Sequence, residues 1–325
     1  MTSLAEALAA WAAPDPIDGL TRLSGGASQE TWAFARASRP LILRRAPGGG
    51  GAARSGQAIP LATEAALIAA AGRQGAPVAL VEAVFAPDSP VGEAFVMGRV
   101  EGETIARKIL RDAAFAEARP RLARQCGQIL ARIHATPLEG LPPLETSDGP
   151  DQLRRYEDIY RGFDRPRPVL ELAFRWLADN APAPLPACFV HGDFRNGNLM
   201  IGPEGVRAVL DWELAHLGDP REDLGWLCVN SWRFGERDKP VGGFGAVEEL
   251  IAGYREAGGA TVSEADIAWW EMLGSLKWAV MCMIMYAAYA TGADPSVERA
   301  AIGRRASEAE IDLVLLLSRM EAAHA

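Results

Sequence analysis

Three oxygen-bearing side chains stand close together in His191-Gly192-Asp193-Phe194-Arg195-Asn196-Gly197-Asn198 and the later run Leu210-Asp211-Trp212-Glu213. Carboxylate and amide oxygens suit a hard cation such as Mg²⁺, which keeps waters and shares substrate phosphates. Asn198 follows Asp193 by five positions, and Asp211 follows Asn198 by thirteen. The spacing predicts that a strand, Cys188–Val190, delivers Asp193 to a loop. A hairpin turning at Gly202-Pro203-Glu204-Gly205 then brings Asp211 back beside Asp193 and Asn198. One aspartate is left to face a nucleophile. Phosphoryl transfer needs this arrangement, because positioning and charge neutralisation do most of its work.

The elements around this segment divide the chain. Residues 1–98 read as strand-rich: two strands in Leu20–Ala37 around a Gly-rich turn, a third in Pro40–Pro47, and two more at 78–86 and 92–100. Between them, Ala62–Gly75 has good helix formers and a glycine stop, and 48–57 is a flexible loop by composition. Residues 99–325 are mainly helical. Leu122, Cys126, Ile129, Leu130 and Ile133 recur at helical spacing, helices are expected over 149–161 and 166–179, and the chain is almost wholly helical after 244. The fold class is α+β, a small antiparallel-sheet lobe with one helix and a larger helical lobe, joined near Met97–Gly102.

Composition narrows the partners. The first hundred residues hold eight arginines, no lysine and eight acids, and the rest of the chain carries the whole net charge of −9. That balance argues against a nucleic-acid partner. Four scattered cysteines without a C-x-x-C pair predict a reduced, cytoplasmic location. The opening residues, with Glu6 where a signal peptide carries positive charge, read as a short amphipathic helix. Met272–Ala290 is apolar over about the length of a membrane span. Ser275 and Lys277 interrupt it, so it reads as a buried core helix rather than a membrane segment.

The motif H-G-D-x-x-x-x-N followed by L-D-W-E, with Gly218-Asp219-Pro220-Arg221-Glu222-Asp223-Leu224-Gly225-Trp226 after it, resembles the aminoglycoside-phosphotransferase family, relatives of protein kinases. It is most similar in flavour to the kinase-like domains fused to some acyl-CoA dehydrogenases. The order of parts matches over about residues 20–290. The resemblance implies a protein-kinase-like two-lobe fold, ATP and Mg²⁺ as cofactors, and a small-molecule hydroxyl as phosphoryl acceptor. It implies Asp193 as the catalytic aspartate, Arg195 as a stabiliser of charge on the γ-phosphoryl group, and Asn198 and Asp211 as the metal ligands. His191 is expected to brace the loop, and Asp223 to bond its backbone. The phosphate-covering loop falls on Ser24–Trp32 with Gly25, Gly26 and Ser28. The family pattern puts a lysine at the end of the third strand, yet no lysine precedes Lys108. Arg44 takes that place, with Glu64 as its partner and Arg45 on the opposite face. Phe95–Arg99, with Met97, is expected to form the adenine hinge.

Two other readings compete. A metal-dependent phosphoester hydrolase could use His191, Asp193, Asn198, Asp211 and His216, although only four histidines are present. A pseudokinase binding module draws on the missing lysine alone. A protein kinase is disfavoured, because D-F-G and A-P-E motifs are missing and only six residues separate Asp211 from Gly218. For the acceptor, Trp226, Trp232, Phe234, Trp269, Trp270 and Trp278 are candidates for a pocket wall or for core. Asp219, Glu222, Glu236 and Asp238 are the acids a polycationic acceptor would need to converge.

Overall fold

The computed structural model describes residues 3–23, 29–49 and 58–324. Gly25, Gly26 and Ser28, and residues 50–57 of the glycine-rich loop, lie outside the described residues.

Helix α1 (Leu4–Ala12), started by a Ser3–Glu6 capping box, leads into β1 (Ile17–Arg22), β2 (Glu30–Arg36) and β3 (Arg39–Arg45). Helix α2 (Leu61–Arg73) precedes β4 (Val81–Phe85) and β5 (Ala94–Gly98). The five strands form one antiparallel sheet in the order β1-β2-β3-β5-β4. Alternation along β3 sorts its side chains between two faces. Leu41 and Leu43 join Leu8, Phe34 and Val96 beneath α1, whereas Ile42 and Arg44 face the cleft between the lobes. On α2, Leu61, Glu64, Ala65 and Ile68 form a buried stripe at three- and four-residue spacing. Glu64 is the one charged member of that stripe, and a buried acid requires a partner.

The chain leaves the sheet after Gly98 and enters α3 (Ala106–Arg111), α4 (Arg119–His134), α5 (Gly149–Arg161) and α6 (Pro168–Asp179). Two small antiparallel sheets follow. β6 (Cys188–Val190) pairs with β9 (His216–Gly218), and β7 (Leu199–Gly202) pairs with β8 (Gly205–Val209) in the expected hairpin. Helices α7 (Arg221–Cys228), α8 (Val247–Glu256), α9 (Glu264–Ala290), α10 (Val297–Gly303) and α11 (Ala306–His324) complete the lobe. The result is a kinase-like arrangement of a small sheet lobe over a larger helical one.

Helices α4 and α8 cross backbone to backbone: a Cβ on Gly127 would stand 2.1 Å from the Leu250 carbonyl oxygen. Helix α9 is long and apolar enough to cross a membrane by length and composition. In this fold Trp269, Leu273, Leu276 and Val280 of α9 pack against Leu153 of α5, Leu170 of α6 and Leu313 of α11. Burying each such leucine contributes roughly 2 kcal/mol.

Candidate active site

The loop from His191 to Asn198 is held from beneath. Asp223, fully buried on α7, accepts the backbone N–H of His191 at 2.8 Å and that of Gly192 at 2.9 Å. His134 of α4 meets the same carboxylate at 3.1 Å and Tyr254 at 2.9 Å. Gly192 has φ +78°, and a Cβ there would lie 2.4 Å from the Leu214 carbonyl oxygen, so the turn requires glycine. His191 has no exposed surface. Its Nδ1 accepts the Asp193 backbone N–H at 3.2 Å, so its Nε2 carries the hydrogen and donates to the Leu210 carbonyl at 3.0 Å. Burial pushes its pKa below the ordinary histidine value, which keeps the ring neutral. Both ring nitrogens are engaged, and His191 braces the segments that present Asp193 and Asp211. A metal-ligand role for His191 is at odds with that geometry.

Asp193 is clamped by three donors. Its Oδ1 accepts from Trp226 Nε1 at 2.7 Å and Arg195 Nε at 3.0 Å, and its Oδ2 accepts from Asn198 Nδ2 at 2.6 Å. Arg195 also lies over the Trp232 ring, 4.6 Å from its centroid. The bond from Asn198 Nδ2 fixes the amide orientation, so the oxygen Oδ1 is what Asn198 can offer a cation. The backbone N–H of Leu210 donates to the Asn198 carbonyl at 2.8 Å, tying that residue to the strand end before Asp211. Asp211 has φ +65°, a left-handed conformation that aspartate tolerates better than most residues.

From the other lobe, Arg44 reaches down to Asp211. Its Nη2 lies 3.2 Å from Asp211 Oδ1 and 3.6 Å from Glu64 Oε1, and its Nε donates to Gln29 Oε1 at 2.7 Å. Gln29 Nε2 donates to Glu64 at 3.1 Å and to Glu213 at 3.3 Å. Burial alone disfavours the charged guanidinium, but the Glu64 and Asp211 carboxylates outweigh it and hold the Arg44 pKa above its ordinary value. Glu64 is 1% exposed, so it is a buried partner and not a solvated acid at the helix start. Arg45 points to the other face of β3, bonding the Val91 carbonyl and Glu30.

Two clefts border these residues. One, of about 580 Å³, lies between the lobes and is lined by Ile42, Arg44, Ile68, Met97, Met200 and Asp211. The linker residues 98–102 also line it, whereas Phe95 is fully buried in β5. Of the expected hinge Phe95–Arg99, Met97, Gly98 and Arg99 line this cleft, whereas Phe95 packs into the core. The second cleft, of about 190 Å³, opens beside Asp193 between Tyr156, Trp226, Trp232, Lys277 and Trp278. The tryptophans therefore divide. Trp226, Trp232 and Trp278 line the cleft, Trp269 and Trp270 are core, and Phe234 is in neither place.

The acids proposed for a polycation do not converge. Asp219 is tied to Arg221, Glu236 and Asp238 are outside the cleft, and only Glu222 reaches it. Glu222 is itself bonded to Lys277 at 3.0 Å, His216 at 3.1 Å and Gln152. His216 thus belongs to this network and not to the Asp193–Asn198–Asp211 group. Burial alone would raise the Glu222 pKa, yet Lys277 and His216 outweigh it and hold the carboxyl far below the usual range. Gln29, Lys277 and the donor role of Trp226 escaped the sequence reading. A lysine inside a nineteen-residue apolar run was the available signal for Lys277; for Gln29 there was none.

Comparison with known proteins agrees with this geometry. The model of the phosphotransferase enzyme family (APH) matches residues 19–259. The chain is 30% identical over 222 residues to acyl-CoA dehydrogenase family member 10 of Mus musculus, covering 65% of this chain and 20% of that protein. The chain thus spans about a fifth of the length of that relative. Among solved structures, a Ralstonia eutropha protein assigned as an aminoglycoside phosphotransferase superposes with a TM-score of 0.74 at 21% identity, over 96% of this chain and 98% of the other. Aminoglycoside phosphotransferase APH(4)-Ia, in complex with ADP and hygromycin B, superposes with a TM-score of 0.63 at 16% identity, over 97% and 99%. The chain belongs to the phosphotransferase enzyme family.

Proposed function

We propose that this chain transfers the γ-phosphoryl group of ATP, with Mg²⁺, to a hydroxyl of a small molecule bound beside Asp193. The observation that carries this reading is a pair of clefts, Asp211 and Arg44 lining one and Asp193 and Arg195 the other, with Asn198 bonded both to Asp193 and to the strand end before Asp211. The inter-lobe cleft takes the nucleotide. Arg44, charged and fixed by Glu64 and Gln29, neutralises phosphate oxygens there, as arginine can do bidentately. Asn198 Oδ1 and the Asp211 carboxylate fit Mg²⁺, which supplies charge neutralisation at the phosphates.

Asp193 orients the acceptor hydroxyl and receives its proton as the new O–P bond forms and the bond to the ADP oxygen breaks. The clamp on Oδ1 by Trp226 and Arg195 leaves Oδ2, held by the single Asn198 donor, as the oxygen with capacity for that proton. Arg195 stabilises charge on the transferring group. A reduced, cytoplasmic location fits the four unpaired cysteines.

The test is ADP release from the purified chain with Mg²⁺ and ATP across a panel of hydroxylated metabolites of varied charge. Acceptor-dependent release that is lost in Asp193→Ala supports the reading. Phosphoester hydrolysis without nucleotide would instead favour a hydrolase.

A further inference from the structure

The cleft beside Asp193 is lined by a buried charge on an otherwise apolar helix. Lys277 of α9 places its ammonium 5.5 Å from the Trp226 ring centroid and 5.7 Å from that of Tyr156. The same nitrogen donates to Gln152 Oε1 at 2.6 Å and to Glu222 Oε1 at 3.0 Å. Two aromatic faces and a buried carboxylate around one ammonium make the kind of box that recognises alkylammonium ligands. In this chain the box is filled by a side chain of the protein itself.

His216 adds a second positive charge. Its Nδ1 lies 3.0 Å from the Leu214 carbonyl oxygen, and its Nε2 lies 3.1 Å from Glu222 Oε2. A carbonyl and a carboxylate only accept, so both ring nitrogens carry hydrogen and the ring is an imidazolium. One carboxylate, Glu222, therefore faces two cations. The other acids lining the cleft are also matched, Asp193 by Arg195 at 3.0 Å and Glu145 by Arg155 at 3.5 Å. Among the described residues the cleft offers no surplus negative charge to a cation, and the box of Trp226 and Tyr156 is taken.

We propose that Lys277 is a specificity-determining residue that excludes cationic acceptors. As a tethered ammonium it occupies the place that an amino or quaternary-ammonium group would need, so the part of the acceptor seated there is uncharged or anionic. The proposal deepens, and rests on, the reading of the Asp193 cleft as the acceptor site.

Tetramethylammonium is the probe, titrated into the full chain without nucleotide and followed by calorimetry and tryptophan fluorescence. Wild type is expected to show no saturable binding. Lys277→Ala removes three methylenes and the ammonium, a volume close to that of the probe, and leaves Glu222 as counter-ion. This variant should bind the probe at least tenfold more tightly than wild type. Lys277→Met, whose apolar chain refills the box, should not, and Lys277→Ala with Glu222→Gln should lose the gain. Saturable binding by wild type that Lys277→Met abolishes overturns the proposal without any need for the alanine variant to fold. A folded Lys277→Ala with no gain overturns it as well. Neither arm uses ATP, so a failure here is distinct from a failure of Asp193-dependent turnover, which would sink the kinase reading instead.

Discussion

Arg44 of the sheet lobe and Asp211 of the helical lobe form an ion pair of 3.2 Å across the inter-lobe cleft, with Glu64 at 3.6 Å on the same guanidinium nitrogen. This pair joins the lobes at the point where a triphosphate would enter. It also answers the absence of any lysine before Lys108, since the charge is present in another chemical form.

Arg44→Ala removes the guanidinium from a carboxylate that is 1% exposed. The expected loss of stability is about 3 kcal/mol, the scale of breaking a buried pair, measured by urea unfolding. Nucleotide affinity should fall in the same variant. Arg44→Lys retains the charge but has one nitrogen in place of the two that bond Gln29 and Asp211, so its loss should be intermediate. Stability equal to wild type in Arg44→Ala would show that the pair is not a structural bond.

Trp226 is a positioning residue for Asp193. Its indole N–H lies 2.7 Å from Oδ1, and hydrogen bonds to charged groups contribute roughly 1.5–3 kcal/mol. Trp226→Phe should therefore lower kcat by about tenfold or more, with the KM for ATP unchanged, because the ring also lines the acceptor cleft and not the nucleotide cleft. A rise in the KM for ATP with kcat intact would place Trp226 elsewhere in the mechanism.

Gly192→Ala tests the turn that presents Asp193. The new Cβ would meet the Leu214 carbonyl at 2.4 Å with φ at +78°. The cost should be roughly 2 kcal/mol or more, the scale of strain at a special backbone position, and activity should fall with it. Thermal denaturation beside wild type decides the matter.

How much of this was legible beforehand depends on the kind of signal. Strands and helices followed from alternation and from three- and four-residue spacing, and the Asp193–Asn198–Asp211 grouping followed from a single hairpin. Pairing of Glu64 with Arg44 followed from the resemblance and from the place of Glu64 at the start of the helix after the third strand. Bonds made between distant segments were not readable. Gln29 meets Glu213 and Lys277 meets Gln152 only because tertiary packing brings them together, and no local period marks either. Nor did any local signal separate Phe95, which is buried in the core, from Met97, Gly98 and Arg99, which line the cleft.

The pair His216–Glu222 gives stability a pH dependence. Burial alone would lower the His216 pKa, but the Glu222 carboxylate raises it above the ordinary value. A raised folded-state pKa contributes stability that is fully present below the unfolded value near 6.5, and that contribution is lost as pH rises through the folded value. The stability difference between wild type and His216→Gln should therefore be larger at about pH 6 than at about pH 9. Urea unfolding at the two pH values reads this directly, and a difference that grows with pH contradicts it.

The most direct test of the phosphotransfer assignment is Asp193→Asn, measured for Mg·ATP binding by calorimetry and for ADP release with an acceptor. Binding should stay within about twofold of wild type, while turnover falls by the two to four orders of magnitude expected for losing a proton acceptor. Turnover equal to wild type in Asp193→Asn would contradict the account.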